Sequence, residues 1–242
     1  MNTARRALVT GGSGDIGGAI AKALAADGFH VIVHAHSGIE RAQAIVDAIR
    51  ATGAGAEALV FDVTDGESTR KQLETLLESG PIQVVVHNAG IHDDAPLAGM
   101  SEQQWRSVID VSLHGFFHVV QPLLLPMART RWGRIVSVSS VAATLGNRGQ
   151  VNYAAAKSAL HGASKSLARE MASRGITVNV VAPGVIAGKL TDQLFDEAQI
   201  KAIVPAARAG TAAEVAAVVA FLCSDGAAYV NGQVIGVNGA MA

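Results

Sequence analysis

Short apolar runs alternate along the chain with longer stretches of helical period. Ala7–Thr10, Val31–His34, Ala58–Phe61, Val84–His87, Ile135–Val138 and Val178–Val181 are near-continuous apolar runs. That is the pattern of strands buried on both faces. Val234–Val237 near the end reads as a seventh strand. Between them the spacing predicts helices such as Ile16–Ala26, stopped by Gly28, and Arg41–Arg50, with Ala42, Ile45, Val46 and Ile49 on one face. This alternation predicts βαβ units around a parallel sheet, in one α/β domain over residues 1–242. No repeat, low-complexity tract or linker interrupts it. Residues 188–205 precede the helix expected at Thr211–Phe221 and carry no clear pattern. A loop of that length after a late strand is a candidate substrate lid.

Half of the 242 residues are hydrophobic and 16% are charged, which excludes intrinsic disorder and is enough to cover both faces of a sheet. The net charge of −1 offers no field to attract nucleic acid or a membrane surface, and neither is expected as a partner. Cys223 is the one cysteine and lies in the apolar run Ala220–Cys223, so a buried thiol in a reducing compartment is expected. The Arg5-Arg6 start of an apolar run stops at Thr10-Gly11-Gly12, too soon for an export signal. The greasiest later stretch, Gly115–Met127, contains His118, Gln121, Pro122 and Pro126 and is too short to span a bilayer. These features predict a cytoplasmic protein.

Chemistry enters first at Thr10-Gly11-Gly12-Ser13-Gly14-Asp15-Ile16-Gly17, directly after the first strand and opening the first helix. Glycines there allow close backbone approach to a pyrophosphate, and the helix N-terminus attracts it. Strand before and helix after raise this above an ordinary glycine-rich turn. Asp62-Val63 ends the third strand with a carboxylate able to accept from an adenine amine, or to cap a helix. Asn88-Ala89-Gly90 follows the fourth strand, where a ribose or nicotinamide would lie. The second strand ends in His34-Ala35-His36-Ser37 with no acid to bind a ribose 2′-hydroxyl. That argues for a 2′-phosphate, hence NADPH, received by His36, Ser37 and Arg41.

Tyr153 and Lys157 stand four apart, on one face of a helix. The lysine ammonium and the charge of an oxidised nicotinamide would together lower the phenol's pKa towards neutrality. Ser139-Ser140 ends the fifth strand, where a hydroxyl could hold a carbonyl oxygen while tyrosine gives it a proton. A Tyr-Lys pair alone is commonplace; beside a dinucleotide turn and a strand-end serine it becomes chemistry. The pairs His34/His36 and His114/His118, and the run His92-Asp93-Asp94, could be read as metal ligands, but loop polarity and packing account for them and no metal is expected.

Over essentially its whole length the chain resembles the short-chain dehydrogenase/reductases, and within them the 3-oxoacyl-acyl-carrier-protein reductases. The resemblance rests on the Thr10–Gly17 turn, Asn88-Ala89-Gly90-Ile91, Met100-Ser101-Glu102 with Trp105, and Gly133–Val136. It continues through Ser139-Ser140, Gly146–Tyr153 with Lys157, Ile176–Asn179, Pro183-Gly184 and Val237-Asn238-Gly239. It implies a Rossmann-type doubly wound domain with a seven-stranded parallel sheet, usually tetrameric, with Ser140 rather than Ser139 as the catalytic serine. It implies cofactor contacts from Gly11, Ser13, Asp15, Ile16, Gly17, Asn88, Ala89, Gly90, Tyr153, Lys157, Pro183, Gly184 and Ile186. The family's usual residues are replaced at Gly14 (arginine), Asp15 (glycine), Ser112 (a catalytic asparagine), Gly188 (threonine) and Ala240 (glycine).

Three functions are compatible: an NADPH-dependent 3-oxoacyl thioester reductase, a reductase of another carbonyl such as a polyketide- or polyene-type chain or small ketone, and a non-catalytic cofactor-binding subunit of an active paralogue. An acyl carrier protein is acidic, so a near-neutral enzyme needs a local basic patch to meet it. Arg129, Arg131 and Arg134 precede the fifth strand and Arg174 the sixth. By resemblance Arg131 and Arg174 match carrier-docking arginines; the alternative is solvated loop charge. Leu113, Phe116, Phe117 and Val120 on one helix, with Ala154, Ala155, Ala163 and Leu167 on another, offer apolar surface for a homotetramer or a hetero-oligomer.

Overall fold

The computed structural model describes residues 4–188, 191 and 194–242. Seven strands form one parallel sheet: β1 (Arg6–Val9), β2 (His30–Ala35), β3 (Ala56–Val60), β4 (Val84–His87), β5 (Gly133–Val138), β6 (Ile176–Pro183) and β7 (Val234–Val237). Every strand expected from the apolar runs is present, with no end moved by more than two residues. Their order is β3-β2-β1-β4-β5-β6-β7. The chain works outward from β1 to β3, then returns to β4 and works outward the other way. The carboxyl ends of β1 and β4 therefore diverge into a crevice, the place where such sheets bind ligands.

The helices are α1 (Asp15–Ala26), α2 (Ile39–Arg50), α3 (Gly66–Glu78), α4 (Glu102–Ile109), α5 (Gly115–Arg129), α6 (Ala142–Leu145), α7 (Val151–Met171), α8 (Glu197–Ile203) and α9 (Ala212–Cys223). Side chains alternate across each strand, so both faces need cover. Ala7, Val9, Val31 and Val33 join Ile20, Leu24, Val46, Val219 and Leu222 in one core under α1, α2 and α9. Leu8, Ile32 and Val85 join Leu73, Leu123, Met127 and Leu160 in the other, under α3, α5 and α7. Cys223 is buried in the first core, which pushes its thiol up to about 12. Such a thiol packs as a small apolar group.

Three features differ from the sequence reading. Gly115–Met127 is not an isolated apolar stretch. A turn of π-helix at Asp110–His114 links α4 to α5, and the continuous run Glu102–Arg129 is 28 residues, long and apolar enough by length and composition to cross a membrane. In this fold it forms a wall of the sheet, with Phe116, Val119, Val120, Leu123 and Met127 buried. Second, Phe116, Val120 and Leu167, expected on an oligomer surface, pack within the domain, while Phe117 and Leu125 remain exposed. Third, the segment 188–205 contains α8, opened by a capping box from Asp196 to Gln199. Residues 189, 190, 192 and 193 of that candidate lid lie outside the described residues.

Candidate active site

The turn after β1 is built on backbone contacts that only glycine allows. Gly11 has φ +61°, and a Cβ on Gly17 would collide with the Gly11 carbonyl and lie 2.8 Å from Asn88 Nδ2. At the α1 N-terminus, Gly14 supplies no side-chain cap. The first backbone N–H groups of α1 are thus available to an anion, at the positive end of the helix dipole. Two clasps hold the turn. The Thr10 hydroxyl accepts from the N–H groups of Asn88 and Ala89, each at 3.0 Å. The Asn88 amide donates back to the carbonyls of Thr10 and Gly11 at 3.0 and 3.1 Å.

His34 is the second anchor. The Gly11 N–H donates to its Nδ1 at 3.1 Å, so Nε2 carries the proton and donates to the Phe61 carbonyl at 2.8 Å. Burial, above all, lowers its pKa to about 4, against the smaller raising effect of the Phe61 bond. His34 is therefore a neutral strut between three strand ends, and neither a phosphate ligand nor a metal ligand.

A cleft of about 390 Å³ opens above these residues, lined by Gly11, Ser13, His36, Ser37, Arg41, Asp62, Val63, Ala89 and Gly90 among others. Asp15, Ile16, Gly17 and Asn88 do not line it; the last two shape its floor through the contacts above. Asp62 does not cap a helix, since the cap of α3 is Asp65, which accepts from the Ser68 N–H. Burial opposes ionisation of Asp62, but bonds from the Thr64 N–H and hydroxyl, and the attraction of His36 at 3.6 Å, outweigh it and lower its pKa. Asp15 faces across the crevice: a Cβ on Gly188 would lie 2.9 Å from its carboxylate. Two of the departures from the family pattern, Asp15 and Gly188, thus meet in space.

The catalytic candidates converge at the carboxyl ends of β5 and β6. Ser139 is spent on structure, its hydroxyl donating to the Lys157 carbonyl at 3.1 Å and lying 2.8 Å from His161 Nε2. Ser140 is the serine beside Tyr153. Its loop is clamped to β6 by the Val141 N–H donating to the Pro183 carbonyl at 2.7 Å. Gly184 donates to Val237 at 3.0 Å and Ala187 to Gly210 at 2.8 Å, fixing the segment that carries Ile186. Lys157 is buried, donates from Nζ to the Val138 carbonyl at 2.9 Å, and has its pKa lowered to about 8 by burial.

At Tyr153 the lysine by itself does not bring the lowering expected of lysine and oxidised nicotinamide together. The Tyr153 pKa is raised, because burial disfavours the phenolate more than the Ser140 hydroxyl favours it, and Asp94 adds to the rise. The expected lowering counted two charges, and the ammonium, 5.7 Å from the ring centre, does not offset burial alone. A raised pKa keeps the Tyr153 phenol protonated.

Three residues hold roles that the sequence did not assign to them. His34 and His87 both sit in fully buried strands, where a histidine must find partners for its ring nitrogens, and that was the available signal. Asn152 donates to the carbonyls of Asp93 and Gln104, each at 3.0 Å, tying the start of α7 to the loop before α4. That contact had no signal in the sequence. His114 lies 2.7 Å from Asp110, and His118 donates to the Val63 carbonyl at 2.8 Å. Among the described residues no three His, Cys, Asp or Glu side chains gather as a metal site.

Arg131 and Arg174 are exposed on adjoining loops, Arg131 donating to the Ser173 carbonyl at 3.3 Å. Arg134, expected in the same cluster, is instead buried against the Trp132 ring, 4.3 Å from its centre.

A family model described as short chain dehydrogenase matches residues 5–199. Among curated proteins, the chain is 49% identical to the 3-oxoacyl-[acyl-carrier-protein] reductase FabG of Escherichia coli K12, over 97% of this chain and 96% of that protein. It is 44% identical to the protein of the same name from Staphylococcus aureus, over 100% and 99%. The Salmonella typhimurium protein of that name is 48% identical, over 97% and 96%.

Proposed function

The chain belongs to the short chain dehydrogenase family, and we propose that it reduces 3-oxoacyl groups carried on an acyl carrier protein, using NADPH. The observation that carries this reading is the convergence of Ser140, Tyr153 and Lys157 at one end of the crevice whose floor is the glycine turn. Bound there, the reduced nicotinamide supplies the hydride. The residues of this chain do the rest. Ser140 orients the carbonyl oxygen, Tyr153 gives it a proton, and Lys157, held by the Val138 carbonyl, would hold the nicotinamide ribose and stabilises the phenolate that remains. The uncapped N-terminus of α1 fits a pyrophosphate, and the glycine cradle fits its close approach.

Preference for NADPH is supported by the end of β2. The strand end His34-Ala35-His36-Ser37 holds no carboxylate, and His36, Ser37 and Arg41 line the cleft where a 2′-phosphate would lie. The carrier is supported by the relatives' shared name and by Arg131 and Arg174 on neighbouring loops. Exposed Phe117 and Leu125 on α5 support a homo-oligomer, readable by light scattering. Steady-state NADPH oxidation with a 3-oxoacyl thioester tests the main reading. Turnover is expected, with a higher kcat/KM for NADPH than for NADH. Absence of turnover with the thioester, alongside turnover of a simple ketone, would replace the substrate; equal rates with NADH would remove the nucleotide preference.

A further inference from the structure

One buried group near the site has no part in the mechanism above. His87, the last residue of β4, is fully buried and lies edge-on to Phe116, ring centres 5.6 Å apart. Its Nε2 donates at 2.8 Å to the backbone carbonyl of Ser112, in the middle of the π-turn. That bond fixes the tautomer, leaving a bare lone pair on Nδ1. Among the described residues, Nδ1 of His87 and the hydroxyls of Ser112 and Ser137 are buried without a hydrogen-bond partner. Ser137 is the direct neighbour of His87 in the register of β4 with β5. A histidine serving only as core filler normally has both nitrogens bonded, so this arrangement calls for another explanation.

The Ser112 hydroxyl points to one. A Cβ built on Gly90 would lie 2.8 Å from Lys157 Nζ and 3.6 Å from Ser112 Oγ. Lysine and serine thus border the same small space, which the glycine leaves open. Lys157 uses a single N–H on the Val138 carbonyl and has others to give. Each reduction moves one proton from Tyr153 to the substrate oxygen as the hydride forms the new C–H bond. One proton from solvent must then return to the phenolate. Lys157 is 3% exposed, so that proton reaches it through buried polar groups. A hydroxyl both donates and accepts, and can pass a proton on.

We propose that His87 is a positioning residue for this proton supply: its bond to the Ser112 carbonyl fixes the π-turn so that the Ser112 hydroxyl faces Lys157. The inference rests on the reductase reading and adds to it a pair, His87 with Ser112, that stands where the family's asparagine does. The imidazole suits the task because it stays neutral. Burial first, then the nearby ammonium, lower its pKa to about 3, so it never competes with Lys157 for the proton.

Two variants and one spectrum test this. His87→Phe keeps an aromatic ring against Phe116 but removes the N–H, whereas His87→Gln retains a donor. His87→Phe should lower kcat about tenfold, with KM and NADPH affinity within about twofold and a larger solvent isotope effect on kcat. His87→Gln should recover most of that loss. In the free protein, ¹⁵N spectra should show His87 protonated on Nε2 alone near neutral pH. Unchanged kcat in His87→Phe, equal losses in both variants accompanied by weaker NADPH binding, or a proton on Nδ1 would each overturn the proposal. Absence of turnover by the wild type on every carbonyl offered would remove the reductase reading, and this inference with it. Turnover by the wild type with an indifferent His87→Phe would remove this inference alone.

Discussion

Acid should unfold this protein through two histidines. His34 and His87 are 1% and 0% exposed, and their pKa values fall from 6.5 to about 4 and about 3, with burial the main cause in each. A histidine whose pKa is lower in the folded state contributes stability that is fully present above its unfolded pKa. That stability drains away as pH falls towards the folded value. Below pH 6.5 the unfolded chain binds a proton at each position and the folded chain does not. Each site then removes about 1.4 kcal/mol per pH unit, or about 3 kcal/mol per pH unit for the pair. Set against the ~5–15 kcal/mol typical of a folded domain, a drop from 6.5 to 5 is a severe loss. His161, lowered by burial and by Lys165, acts in the same direction. The direct measurement is a difference titration of native against guanidinium-unfolded protein, which does not depend on oligomeric state. Near pH 5.3 His34 and His87 should together account for about two of the protons taken up per chain on unfolding, and His34→Gln or His87→Gln should each remove about one. An uptake well below one proton would refute the assignment of buried neutral imidazoles. The function would fail alongside the fold, since a protonated His34 cannot accept the Gly11 N–H that holds the phosphate turn.

Tyr153→Phe should lower turnover at least about a hundredfold while NADPH still binds; near-normal turnover would remove Tyr153 as proton donor. Gly17→Ala drives a methyl into the Gly11 carbonyl and the Asn88 amide, so nucleotide binding should be lost, as read by fluorescence titration. Ser112→Asn should leave kcat within about threefold, because an amide also offers a donor and an acceptor beside Lys157; a large gain would mark the natural protein as impaired. Arg131→Glu with Arg174→Glu should raise KM for a carrier-bound substrate and weaken its salt dependence, with a short thioester mimic barely affected. Equal losses on both substrates would point to misfolding.

The strands, the glycine turn and the helix bearing Tyr153 and Lys157 were legible because each is a local pattern: apolar runs, a glycine cluster between strand and helix, and a spacing of four. What escaped was set by contacts far apart in the chain. Asp62 could be read from its position as an acceptor for an adenine amine or as a helix cap, and the structure removes the second, since its carboxylate bonds Thr64 while Asp65 caps α3, a choice decided by turn geometry. The direction of the Tyr153 pKa depended on how deeply the ring is buried, which no spacing reveals. Arg134 looked like its exposed neighbours Arg131 and Arg174, but strand alternation turns it inward onto Trp132. His34 and His87 were visible as histidines in buried strands, but their partners, Gly11 and Ser112, are 23 and 25 residues away.

The clasp between Thr10 and Asn88 has a consequence for how this chain can vary. Four hydrogen bonds cross between the ends of β1 and β4, with each residue serving the backbone of the other's loop. Each side chain spends its two bonds on backbone groups that any residue at the other position would still offer, so altering one side chain leaves the other pair of bonds in place. Either half of the clasp can therefore be lost while the other still ties β1 to β4, and the crossing tolerates change at one of its two positions at a time.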